Sequence, residues 1–206
     1  MTPRRIGLFG GTFDPPHVGH LALAEWARDQ LRLDHVLFVP AGRPPHKGRA
    51  RLSPVEHRVA MTRLAVRGNR AFAVSALETR RDGPSFTVDT LRALKRREPH
   101  AQIFLLMGAD SLAEFHTWRD PEGIATFATL AVAGRPGSPG PKRRAGARGA
   151  AATRSGAGGR RIAWLRNPAL EVSSSAVRAR LGSGRTVRYL VPDAVARYIA
   201  RHRLYR

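Results

Sequence analysis

Residues 5–31 read "RIGLFGGTFDPPHVGHLALAEWARDQL". "RIGLF" (5–9) is a short apolar run ended by Gly10 and Gly11, the pattern of a buried strand. From His20 onward, Leu23, Ala27 and Leu31 recur at helical spacing. Between strand and helix lies a turn with little side-chain bulk that carries two histidines, His17 and His20, around Gly19.

The same alternation continues along the chain. "HVLFVP" (35–40) predicts a second strand, stopped by Pro40 and the loop "AGRPPHKGRA". A helix follows, with Ser53 as its expected cap, Pro54 at the first helical position and Glu56 completing a capping box. "AFAVSAL" (71–77), "IFLLMG" (103–108), "TLAVAG" (129–134) and "IAWL" (162–165) predict further strands. "TVDTLRALKRR" (87–97) and "PEGIATFA" (121–128) predict helices, the first opened by Thr87. Short apolar strands alternating with amphipathic helices imply an α/β fold: a Rossmann-like, doubly wound parallel sheet flanked by helices. Length supports a single domain over 1–206. In such sheets ligands bind at the carboxyl ends of the strands, and "GGTFDPPHVGH", "PAGRPPHKG", "GADSL" and "GRPG" each follow a strand.

One segment breaks the pattern. Residues 136–160 are Gly, Ala, Pro and Arg with almost no large apolar side chain, a composition that cannot offset its ordering entropy. We expect a disordered basic insertion loop there. Between Arg135 and Arg161 the chain has eight Lys/Arg and no acid, within a formal net charge of +21. That balance suits nucleotides, nucleic acids or acidic surfaces. No run reaches the ~18 apolar residues of a membrane span, and the opening residues do not resemble a signal peptide. The chain has no cysteine, which excludes disulfides and thiolate chemistry. A cytoplasmic protein is expected.

The turn at 10–20 is suited to an anion. Backbone N–H groups at a glycine turn and a helix N-terminus attract phosphate, and the helix dipole adds to the attraction. Imidazoles beside it can hydrogen-bond phosphate oxygens where charge accumulates. A plain turn, or half of a metal site, fits the same residues, although no HExxH or cysteine supplies further metal ligands. No Walker loop and no G-x-G-x-x-G occurs.

"GGTFDPPHVGH" resembles the signature of the nucleotidyltransferase superfamily that carries an (H/T)-x-G-H motif. "VSSSAVRARL" (172–181) is similar to its second signature, I-S-S-T-x-I-R. Across the chain apart from 136–160, the sequence most resembles bacterial nicotinate-nucleotide adenylyltransferases. The resemblance implies joining of nicotinate mononucleotide to ATP, with pyrophosphate released and Mg²⁺ travelling on the ATP phosphates rather than in a protein metal site. It implies catalytic roles for His17, His20, Lys47 and Arg178. ATP or its phosphates would meet Gly10, Gly11, Thr12, Phe13, Gly19, His46, Asp110 and Ser173, Ser174 and Ser175. Nicotinate mononucleotide would meet Thr87, Trp118, Arg119 and Arg135. Taken alone, Asp110 and the serines read equally as helix caps, Lys47 as a solvated loop residue and Trp118 as core.

"PSFTVDTL" and "TWRD" depart from the family pattern at two positions. Phe86 stands where tyrosine is common, and Arg119 where many members have a second aromatic. Related enzymes acting on nicotinamide mononucleotide or another phosphorylated acceptor share the phosphate motifs. A basic nucleic-acid-binding protein is the competing reading from another class. No nucleic-acid motif or interleaved aromatic stripe supports it as the main function.

Overall fold

The computed structural model describes residues 3–44, 52–134, 152–155, 159–168 and 170–206, with only the backbone given for 152–155. Its strands are β1 (Arg5–Gly11), β2 (His35–Pro40), β3 (Phe72–Val74), β4 (Gln102–Gly108), β5 (Ala128–Ala133), β6 (Ala152–Ser155) and β7 (Arg161–Leu165). Its helices are α1 (Val18–Gln30), α2 (Val55–Val66), α3 (Thr87–Arg97), α4 (Ala109–Ala113), α5 (Pro121–Phe127), α6 (Ser174–Gly182) and α7 (Asp193–Arg201), with a 3-10 turn at Phe115–Thr117.

The strands form one sheet in the order β3-β2-β1-β4-β5-β7-β6. The pairs β1–β4, β4–β5 and β5–β7 are parallel. Strand order reverses between β1 and β4, which is the doubly wound arrangement expected from the sequence. The parallel register sets Leu8 beside Leu105 and Leu105 beside Leu130. Ile103 to Met107 and all of β5 are buried, as strands covered on both faces must be, and this explains their unbroken apolar runs.

The described residues group into two compact units, each drawn from three stretches of chain: 1–10, 23–37 and 86–169 in the first, and 11–22, 38–85 and 170–206 in the second. In the first, α3 buries Val88, Leu91 and Leu94 at helical spacing. The Asp120 side chain accepts from the Gly123 N–H at the start of α5 and also meets Arg92 Nη2 at 2.7 Å. In the second unit, Met61, Ala65, Val177, Val187, Val191, Val195 and Ile199 form a continuous apolar cluster. Pro192 stands at the cap of α7, which buries Val195 and Ile199 one turn apart.

Two expectations need correction. Part of the basic segment 136–160 is ordered, because β6 pairs antiparallel with β7 from Ala152–Trp164 to Ser155–Arg161. An edge strand is held by main-chain hydrogen bonds, so a composition poor in apolar side chains does not forbid it. Residues 135–151 and 156–158 lie outside the described residues. The capping box before α2 does not form. α2 begins at Val55, so Pro54 rather than Ser53 holds the cap position and no side chain caps the helix; the main chain of Ser53 binds two buried side chains described below. α3 opens at Thr87 as expected, with Phe86 in the cap position.

Candidate active site

The second unit contains the histidine turn. After β1 the chain enters Phe13 with a φ of 49° and then a cis Asp14–Pro15 peptide. Phe13 is 1% exposed. Its ring packs 5.7 Å from that of Phe38 and edge-on to that of His20 at 5.1 Å. A Cβ on Gly11 would lie 3.0 Å from the Phe13 ring, so the bare glycine is what lets that ring fold back. Gly19 serves His17 in the same way: a Cβ there would lie 3.0 Å from His17 Nδ1. A Cβ on Gly10 would meet nothing within 4 Å, so the protein's own packing does not require its small size.

The two imidazoles are stacked, with ring centroids 3.7 Å apart. The His17 N–H donates to His20 Nδ1 at 3.2 Å. A backbone N–H can only donate, so Nδ1 is the acceptor and the proton of the neutral ring sits on Nε2. The Val18 N–H donates to the Leu190 carbonyl at 2.9 Å. Two amides of the turn are therefore already engaged within the protein.

His17 is 6% exposed, and its Nδ1 is buried with no hydrogen-bond partner among the described residues. Burial lowers its pKa from the usual 6.5 to about 4, so the folded chain keeps it neutral where the unfolded chain would protonate it. Stability should therefore fall as pH drops from 6.5 towards 4, by on the order of 2 kcal/mol at pH 5. Urea unfolding midpoints at pH 7 and pH 5 measure this loss. His17→Gln should show a correspondingly smaller loss, and an equal loss in both proteins would assign the effect elsewhere.

The second signature docks on this turn. Ser173 caps α6, its Oγ accepting from the Ala176 N–H at 3.1 Å. Ser174 Oγ donates to the Pro15 carbonyl at 2.9 Å. Arg178 donates to the Asp14 carbonyl at 2.7 Å and to Ser175 Oγ at 3.3 Å. Residues 14–15 and 173–178, far apart in sequence, thus form one structural element. His46 and Lys47 lie outside the described residues, as does Arg135.

The first unit contains the remaining predicted residues. Gly108 caps α4, which leaves Asp110 exposed in its first turn rather than serving as a cap. Trp118 is half-buried, with its ring 5.5 Å from that of Phe115. The Arg119 guanidinium lies 4.5 Å over the Phe86 ring. The two departures from the family pattern therefore touch each other, in a cation–π contact. Thr87 is half-buried at the start of α3.

Residues 8–180 match the family model described as cytidylyltransferase-like. The chain is 46% identical over 202 residues to a probable nicotinate-nucleotide adenylyltransferase of Thermomicrobium roseum, covering 98% of this chain and 92% of the relative. The chain belongs to the nicotinate-nucleotide adenylyltransferase family. A probable member from Thermus thermophilus is 45% identical, covering 98% of this chain and 100% of the relative. Among solved structures, Plasmodium falciparum nicotinic acid mononucleotide adenylyltransferase complexed with NaAD shares this fold, with a TM-score of 0.76 at 17% identity over 98% of this chain and 97% of that one.

Three residues of this adenylyltransferase-family chain that no motif reading singled out hold the histidine turn in place. Arg58, 2% exposed, donates to the carbonyls of Thr12 (3.0 Å), Ala41 (2.6 Å), Gly42 (3.1 Å) and Ser53 (3.0 Å). Burial lowers its pKa, opposed by the nearby charge of Asp14. Asp14, 1% exposed, accepts from the Ser53 N–H at 3.1 Å and from the Tyr205 hydroxyl at 2.5 Å. The aspartate of "TFDPPH" was the only available signal. Its burial is what distinguishes it from a solvated turn residue.

Proposed function

We propose that this chain transfers the adenylyl group of ATP to nicotinate mononucleotide, giving nicotinate adenine dinucleotide and pyrophosphate, a cytoplasmic step in making NAD. Identity of 46% across nearly the full length of both chains carries this reading. A phosphate oxygen of the mononucleotide attacks the α-phosphorus of ATP. The bond from that phosphorus to the bridging oxygen breaks, and pyrophosphate leaves with the electron pair. The attacking oxygen is already anionic, so no protein nucleophile is needed, and the work is positioning and charge stabilisation.

His20, with Nδ1 held by the His17 amide, presents its Nε2–H to a phosphate oxygen. His17 is neutral and desolvated, with a ring nitrogen unmatched among the described residues, and a phosphate-binding role suits it. Arg178, steadied on the Asp14 carbonyl, adds a fixed positive charge, with Ser173, Ser174 and Ser175 at the same helix start. Gly10, Gly11, Thr12, Phe13 and Gly19 shape the turn around these groups. His46, Lys47, Asp110 and Arg135 keep the substrate contacts that the family resemblance implies, as do Thr87, Trp118 and Arg119 for the nicotinate nucleotide. Among the described residues no group of three or more His, Cys, Asp or Glu is placed to hold a metal. Mg²⁺ carried on ATP, as the family resemblance implies, would supply neutralising charge to the leaving pyrophosphate. No helix among the described residues is long and apolar enough to cross a membrane.

The test is pyrophosphate release from ATP and Mg²⁺ with nicotinate or nicotinamide mononucleotide as acceptor. Release with the nicotinate form should exceed that with the nicotinamide form by at least about tenfold in kcat/KM, since donors arranged for a carboxylate are left unpaired by an amide NH₂. Equal use of both would remove the acceptor assignment. No release with either would remove the reaction.

A further inference from the structure

Asp14 has three acceptor atoms, and three different parts of the second unit donate to them. Tyr205 donates its hydroxyl to Oδ1, Ser53 its N–H to Oδ2, and Arg178 its guanidinium to the main-chain carbonyl. The reaction proposed above uses Arg178 and does not need Tyr205. Yet Tyr205 is half-buried, with a φ of 65°, and its hydroxyl also lies 3.9 Å from Met61 Sδ in the apolar cluster. Removing that hydroxyl frees one carboxylate oxygen of a buried aspartate whose carbonyl orients the cation.

We propose that Tyr205 is a positioning residue for adenylyl transfer, holding the Asp14 side chain so that the Asp14 carbonyl fixes the Arg178 guanidinium. This rests on the role given to Arg178 above. Burial, followed by the hydrogen bond to Asp14, raises the Tyr205 hydroxyl above its ordinary pKa, so it remains a donor throughout the neutral range. The coupling is geometric. A shift of Asp14 moves the acceptor of Arg178, and small displacements of an orienting group are costly in rate. Ser174 makes a parallel contact one residue on, to the Pro15 carbonyl, so α6 stays docked while the guanidinium loses its fixed direction.

A double-mutant cycle tests this, with wild type, Y205F, R178A and the double variant compared for kcat of pyrophosphate release and for thermal midpoint. Y205F keeps the ring and should remain folded at the assay temperature while losing about tenfold in kcat. In the R178A background the same change should cost less than about twofold, since residues acting through one contact are non-additive. Equal losses in both backgrounds, an unchanged Y205F, or a Y205F unfolded at the assay temperature would each overturn the proposal. R178A turning over at the wild-type rate would remove Arg178 from the reaction and this inference with it. The reading of the reaction itself stands or falls separately, on wild-type turnover.

Discussion

His20→Ala should lower the turnover of adenylyl transfer by about 10²–10³, the usual loss when one preorganised donor to transition-state charge is removed. The geometry fixes the direction of this expectation. His20 Nδ1 is occupied by the His17 amide at 3.2 Å, and the ring lies between the His17 imidazole and the Phe13 edge, at centroid distances of 3.7 and 5.1 Å. It therefore has one orientation, with Nδ1 accepting and the proton of the neutral ring on Nε2. Loss of the ring removes that donor and loosens the stack that orients His17. The variant should keep a thermal midpoint within a few degrees of wild type, because the ring is only half-buried and the apolar cluster of the second unit does not include it. His20→Asn separates the two effects. Its side-chain oxygen can still accept from the His17 amide, so a loss as deep as that of the alanine variant would assign the effect to the ring's far nitrogen. Turnover close to wild type in both variants would contradict the role of His20.

The contrast between β4 and Arg58 shows what was legible in the sequence. β4 lies buried on both faces, so its neighbours impose an unbroken apolar run that a short window displays. α3 was readable to both ends, Thr87–Arg97, because its burial repeats within one or two turns. The histidine turn was equally local, with glycines and imidazoles a few residues apart. Arg58 sits in a helix of mixed composition and reads as a solvated face, yet its carbonyl partners lie 5, 16, 17 and 46 residues away. Tyr205 meets Asp14 across 191 residues. No periodicity or spacing encodes such contacts, since they exist only once the chain has closed. β6 escaped notice for a different reason, because edge pairing is written in main-chain groups that every non-proline residue carries.

Arg58→Met should destabilise the protein by about 3–5 kcal/mol, the usual range when one member of a buried charged network is removed. Methionine fills much of the arginine's volume, so a cavity contributes little, and the effect is electrostatic and directional. The variant leaves four main-chain carbonyls, of Thr12, Ala41, Gly42 and Ser53, without their shared donor, and buried acceptors left unpaired are individually costly. It also removes the cation facing the buried Asp14, whose carboxylate would then rely on the Ser53 and Tyr205 hydrogen bonds. Arg58→Lys retains the charge but cannot place donors on four acceptors in the plane of a guanidinium, so it should recover only part of the loss. Urea midpoints for the three proteins measure this series. Methionine and lysine variants both within about 0.5 kcal/mol of wild type, the range of ordinary surface substitutions, would show that the carbonyls find other donors. A folded but slow lysine variant would show instead that the same guanidinium also sets the position of Thr12 within the histidine turn. Stability and catalysis would then depend on one buried side chain, because the carbonyls it gathers belong both to the loop that begins at Ala41 and to the turn that carries His17 and His20.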